Sequence, residues 1–207
     1  MALIVPVLVR GINNLSDARY CAGMGADRLA FNLDPATPGH LTPEAAQELS
    51  GWVAGVDLVG EFDTLPAPDI NALAQTCGLK YVLLRRLRSV DAIAELSRPV
   101  LLNMQWIPDF LREDVEVVFR QYSPHVAGFL MTGLPERPLD GLQLTYLTDL
   151  ARKFPLWIGS NLLQNPVRNM IHSVRPAGLL LEGGEEIKPG LRDFTELEAM
   201  FEQLEEE

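Results

Sequence analysis

The stretch LIVPVLVRGINNLSDARYCAGMGADRLAFN, from Leu3 to Asn32, decides the fold. Leu3 to Val9 is a β-rich apolar run. Ser16 to Met24 has helical periodicity, with Ser16 placed to cap it, and Arg28 to Asn32 is a second short apolar run. Strand, helix and strand in about thirty residues make a βαβ unit, whose two strands lie parallel.

The unit recurs along the chain. Further strand-like runs are Val56 to Glu61, Tyr81 to Leu84, Val100 to Asn103, Ala127 to Met131, Leu156 to Gly159 and Gly178 to Leu181. Helical stretches fall between and after them, at Pro43 to Val53, Ala67 to Thr76, Val90 to Leu96, Phe110 to Gln121, Leu142 to Lys153, Asn165 to Val174 and Phe194 to Gln203. Thr42 before Pro43 and Glu44, and Asn165 before Pro166, have the chemistry of helix starts. Runs such as Tyr81-Val82-Leu83-Leu84 lack polar alternation, which suits parallel strands covered on both faces. Eight β/α units predict an α/β fold, a small TIM (β/α)8 barrel forming one domain over residues 1–207. A doubly wound open sheet has the same element order and is the competing architecture.

Composition agrees with a globular chain. The 207 residues are 47% hydrophobic and 22% charged, so neither a disordered nor a collagen-like chain fits. Seventeen Lys and Arg against twenty-eight Asp and Glu leave a net charge of −11, which repels nucleic-acid phosphates and anionic lipid. The apolar run around Leu179 to Leu181 is far short of the roughly 20 residues of a membrane span. Ala2 to Val9 lacks the basic lead-in and cleavage site of a signal peptide, so a cytoplasmic location is expected. Cys21 and Cys77 suit core thiols, not a disulfide framework or a zinc site. His40, His125 and His172 are scattered singly, and neither metal nor cofactor is expected. The tail Glu205-Glu206-Glu207 reads as a frayed helix end.

In such a barrel the chemistry sits at the C-terminal strand ends. Those positions hold Arg10, Asn32, Asp34, Glu61, Asp63, Arg85, Arg86, Asn103, Gln105, Thr132, Ser160, Asn161 and Glu182, followed by Gly183, Gly184, Glu185 and Glu186. Most of these side chains can bond or ionise, as a small-molecule pocket requires.

Val7 to Phe31, VLVRGINNLSDARYCAGMGADRLAF, resembles the opening of the phosphoribosylanthranilate isomerase family of tryptophan biosynthesis. Gly11, Ile12, Asn14, Leu15, Asp17, Ala18, Gly25, Ala26, Asp27 and Phe31 fall in register with it. The likeness continues through Thr37-Pro38-Gly39-His40-Leu41-Thr42-Pro43-Glu44, Val59-Gly60-Glu61-Phe62, Val174-Arg175-Pro176-Ala177-Gly178 and Pro189-Gly190-Leu191-Arg192-Asp193. It implies a small eightfold barrel, monomeric or homodimeric, and an Amadori rearrangement of N-(5'-phosphoribosyl)anthranilate.

That reaction needs one acid and one base, matched in pKa to the working pH. The resemblance implies a cysteine at the end of the first strand and an aspartate at the end of the sixth. The cysteine position is Arg10, a guanidinium that stays protonated. The aspartate position aligns with Met131, a thioether. The family's lysine and substrate-binding arginine align with Leu8 and Gly39, and its fourth-strand Gln-Leu-His-Gly with Leu83-Leu84-Arg85-Arg86. Its phosphate loops align with Gly159-Ser160-Asn161 and Glu182-Gly183-Gly184, where Glu182, Glu185 and Glu186 disfavour a phosphate dianion.

Three functions remain open. The first is a diverged barrel that is inactive or binds a different small anionic ligand. Its candidate ligand groups are Arg10, Asp34, Glu61, Arg85, Asn103, Gln105, Thr132, Ser160, Asn161, Glu182, Gly183 and Gly184, with a carboxylate expected on the Arg10 side unless Arg10 simply pairs with Glu61 or Glu182. The second is an active isomerase with Glu61 or Glu182 as base and Asp34 as acid. The third is a non-catalytic interaction protein with an apolar patch at Trp106, Ile107 and Phe110.

Overall fold

A computed structural model of the chain describes residues 2–106, 112–135, 137–159, 167–183, 185–188 and 191–206. Eight parallel strands, β1 Val7–Arg10, β2 Arg28–Asn32, β3 Asp57–Phe62, β4 Tyr81–Leu84, β5 Val100–Gln105, β6 Gly128–Thr132, β7 Leu156–Gly159 and β8 Gly178–Glu182, pair in chain order. Pairing of Val7 with Leu179 and of Arg10 with Glu182 joins the first strand to the last, so the barrel closes and the open sheet is excluded.

The covering helices are α1 Leu15–Gly23, α2 Pro43–Gly51, α3 Ala67–Thr76, α4 Val90–Ala94, α5 Arg112–Tyr122, α6 Gly141–Lys153, α7 Val167–Val174 and α8 Thr195–Leu204. Thr42 caps α2 as expected, with Pro43 in its first turn. The cap of α1 is Asn14, not Ser16: its extended backbone lets Oδ1 accept from the Asp17 amide at 2.9 Å. The expected helix starts at Phe110 and Asn165 lie outside the described residues.

The first strand begins four residues later than expected. Pro6 has no N–H for a ladder, and Leu3 instead bridges to Glu205. The Ile4 amide donates to Leu204 and the Glu206 amide to Ala2, so the tail through Glu206 is tied to the N-terminal segment and does not fray. A further departure follows β8, where strands β9 Glu185–Lys188 and β10 Leu191–Asp193 form an antiparallel pair in place of the expected loop.

Strand alternation divides the core into two shells. Leu8, Ala30, Val59, Leu83, Leu101, Leu130, Trp157 and Leu180 point inward and fill the barrel. Their neighbours, including Val9, Phe31, Phe62, Leu84, Leu102, Phe129, Met131, Ile158 and Leu181, point outward against the helices. Both faces are apolar, as parallel strands under helices require. Cys21 and Cys77 are buried in the core, as expected. Among the described residues no helix is long and apolar enough to cross a membrane, and no three His, Cys, Asp or Glu side chains group as a metal site.

Candidate functional site

Because side chains alternate with period two, the residue two positions beyond each inner-core residue also faces inward, one layer nearer the C-terminal mouth. From β1, β2, β3, β4, β5, β6 and β8 these are Arg10, Asn32, Glu61, Arg85, Asn103, Thr132 and Glu182. The rule bears on the end of β6. Met131 is 2% exposed and packs in the outer shell, so it does not face the mouth; the inward residue at the end of β6 is Thr132. A one-residue slip along a strand exchanges its faces. Thr132 carries a hydroxyl, which does not titrate near neutral pH.

Arg10 ends β1, and Gly11 follows with a φ of +77°, a left-handed turn that favours glycine and takes the chain out of the barrel. The Arg10 guanidinium grips Glu182 at both oxygens, Nη2 to Oε1 at 2.6 Å and Nε to Oε2 at 2.7 Å. Burial opposes its charge, but the bond to Glu182 and the charges of Glu182 and Glu61 outweigh burial and raise its pKa above the ordinary arginine value. Arg10 therefore remains a cation at every working pH. The Gly183 amide of the β8 loop donates to the Arg10 carbonyl at 2.7 Å.

On the other side of the mouth Arg85 donates Nε at 2.9 Å and Nη2 at 2.8 Å to one oxygen of Glu61, Oε2. Glu61 is 1% exposed, and its Oε1 is buried without a hydrogen-bond partner. The network extends from the Arg85 carbonyl, which accepts from Asn103 Nδ2 at 3.3 Å, to Thr132, whose Oγ1 donates to Asn103 Oδ1 at 2.9 Å. Arg86 pairs with Asp63 at 2.6 Å, farther out. Gln105 is exposed at the end of β5.

Asp34 is placed differently from expectation. It is fully buried, and its carboxylate accepts from the amides of Ala36, Asp63, Thr64 and Leu65. Burial pushes its pKa up, but these donors, Thr64 first, overcome that and bring it down to about 2. Asp34 is thus a brace between the loops after β2 and β3, with no proton to give at neutral pH. Asn32 is likewise occupied by its own loop, accepting from Thr37 Oγ1 and donating to the Pro38 carbonyl.

Sequence reasoning missed Arg88. It donates to the carbonyls of Asp63 and Leu65, while its own carbonyl accepts from Tyr122 Oη, so the loops after β3 and β4 are joined as well. No motif surrounds it in Arg85-Arg86-Leu87-Arg88. Ser160, Asn161 and Gly184 lie outside the described residues, as do Ile107 and Phe110 of the expected apolar patch. Trp106 itself packs partly buried against the outer shell, with Tyr146 at 5.7 Å between ring centroids.

No family profile matches the chain. It is 30% identical over 195 residues to N-(5'-phosphoribosyl)anthranilate isomerase of Geobacter sulfurreducens, covering 92% of this chain and 93% of the relative. It is 29% identical over 192 residues to the isomerase of Geotalea uraniireducens, covering 90% and 92%. The crystal structure of phosphoribosyl anthranilate isomerase from Thermus thermophilus superposes with a TM-score of 0.76 over 96% of this chain and 98% of that one, at 21% identity. The end-to-end match and the shared barrel agree: the chain belongs to the phosphoribosylanthranilate isomerase family.

Proposed function

We propose that this chain does not isomerise phosphoribosylanthranilate and that its barrel mouth binds a small carboxylate-bearing ligand without a phosphate. One observation carries the reading. The inward residues at the ends of β1 and β6, the strands on which the family resemblance puts the base and the acid, are Arg10 and Thr132, and neither titrates near neutral pH.

The phosphate side supports it. Barrels that hold a phosphate commonly use the loops after the seventh and eighth strands and the amino end of a short extra helix. Here β8 leads into a β-hairpin that carries Glu185 and Glu186 in its sequence, and the Gly183 amide is already donated to Arg10. The ligand carboxylate would replace Glu182 on Arg10. Glu182 is half exposed, so its release into water costs little, and the guanidinium keeps its two-pronged geometry for the newcomer. An isomerase using Asp34 as its acid conflicts with a carboxyl held at about 2 by four amides.

The test is turnover of phosphoribosylanthranilate by the purified chain, together with complementation of a tryptophan auxotroph that lacks this isomerase. We expect no growth and no turnover above the uncatalysed rate. Growth of the auxotroph overturns the reading.

A further inference from the structure

We propose that the ligand of the mouth is a zwitterion: an ammonium group binds Oε1 of Glu61 while its carboxylate takes Arg10. The inference rests on the carboxylate reading above and adds a second charge to the ligand.

Glu61 follows Val59 on the inward face of β3, so its carboxylate stands directly above the inner core. Arg85 places both of its donors on Oε2 and none on Oε1. A buried acceptor left without a donor costs about 1–3 kcal/mol, and more when charged. The polar neighbours are already engaged. Asn32 is tied to Thr37 and Pro38, Asn103 to Thr132 and the Arg85 carbonyl, and Arg88 to the β3 loop. Arg10 senses the Glu61 charge, but its contacts go to Glu182. The unfilled acceptor therefore calls for a donor from outside the chain.

Charge balance selects the class of donor. Two arginines, Arg10 and Arg85, stand against two carboxylates, Glu61 and Glu182, and Arg86 is matched by Asp63. Where the charges of the described residues balance in this way, a plain anion gains little preference. Such a balance favours a neutral molecule whose separated charges meet Arg10 at one end and Glu61 at the other. Amino acids and their ω-amino homologues are that class.

The experiment is an NMR titration of the full chain with glycine, β-alanine and γ-aminobutyrate, each beside its deamino acid, namely acetate, propionate and butyrate. Amide shifts at the ends of β1 and β3 report binding. We expect at least one amino acid to bind about tenfold or more tightly than its deamino partner, a preference that Glu61→Gln removes. Equal binding of both partners, lost in Arg10→Ala, overturns the ammonium site and leaves the carboxylate reading standing. Absence of binding by every probe overturns both. If Glu61→Gln fails to fold, the preference of the unaltered chain decides alone.

Discussion

At the N-terminal end of the barrel the guanidinium of Arg28 lies between two aromatic faces, 4.0 Å from the Tyr81 ring centre and 4.5 Å from that of Trp157. At the C-terminal end Arg10 and Arg85 instead lie against carboxylates. All three arginines occupy inward positions, yet their partners differ in kind. An aromatic face stabilises a cation without offering a group that an incoming ion can replace, and its ring also fills the barrel. A carboxylate on a half-exposed side chain can be exchanged for another carboxylate. The end built on rings is a plug, and the end built on ion pairs is open to chemistry.

Removing a ring from the plug gives the largest expected effect. Trp157 is 4% exposed and belongs to the inner core, and it packs so closely on β8 that a Cβ on Gly178 would come within 2.3 Å of it. Trp157→Ala empties that volume and uncovers one face of Arg28. A loss of about 3–5 kcal/mol is expected in the urea midpoint. A loss below about 1 kcal/mol would mean that the plug contributes little and that the contrast between the two ends is one of shape alone.

Much of this architecture was legible in the sequence because helix periodicity and apolar runs are local signals. The facing of each strand was not. Phe129-Leu130-Met131 is apolar throughout, since the barrel interior and the helix layer both bury side chains, and such a run carries no mark of which residue points where. The run therefore shows neither that Met131 packs under the helices nor that Thr132 faces the mouth. The role of Asp34 was hidden for another reason. Asp34-Pro35 reads as an ordinary turn, whereas three of the amides it serves lie about thirty residues farther on, in a different loop. The hairpin after β8 was missed because Glu185 and Glu186 are poor strand formers whose pairing with Asp193 and Arg192 depends on the β10 partner.

The braced side of the mouth yields an intermediate effect through pH. Asp34 has its folded pKa lowered from 3.8 to about 2. The folded state therefore binds fewer protons than the unfolded one between those values, and the contribution of Asp34 is fully present above about pH 4 and lost as the pH falls through about 2. The shift corresponds to roughly 2 kcal/mol. Urea titrations across this window should show a loss of that order in the unaltered chain and a smaller loss in Asp34→Asn. Equal acid sensitivity in the two proteins would remove Asp34 from its role in holding the β2 and β3 loops together.

The smallest effect belongs to the open side. Arg10 is 27% exposed and Glu182 50% exposed along their side chains, so water replaces most of what their ion pair supplies. Arg10→Ala should cost about 1 kcal/mol or less in the urea midpoint, far below Trp157→Ala, although both remove an inward side chain. Near-neutrality here has a use: a variant that keeps its stability lets any lost response to a carboxylate be assigned to binding and not to unfolding. A cost comparable to that of Trp157→Ala would make Arg10 a second plug, and the mouth would then be sealed at both β1 and β8 by a pair too strong for a ligand to displace.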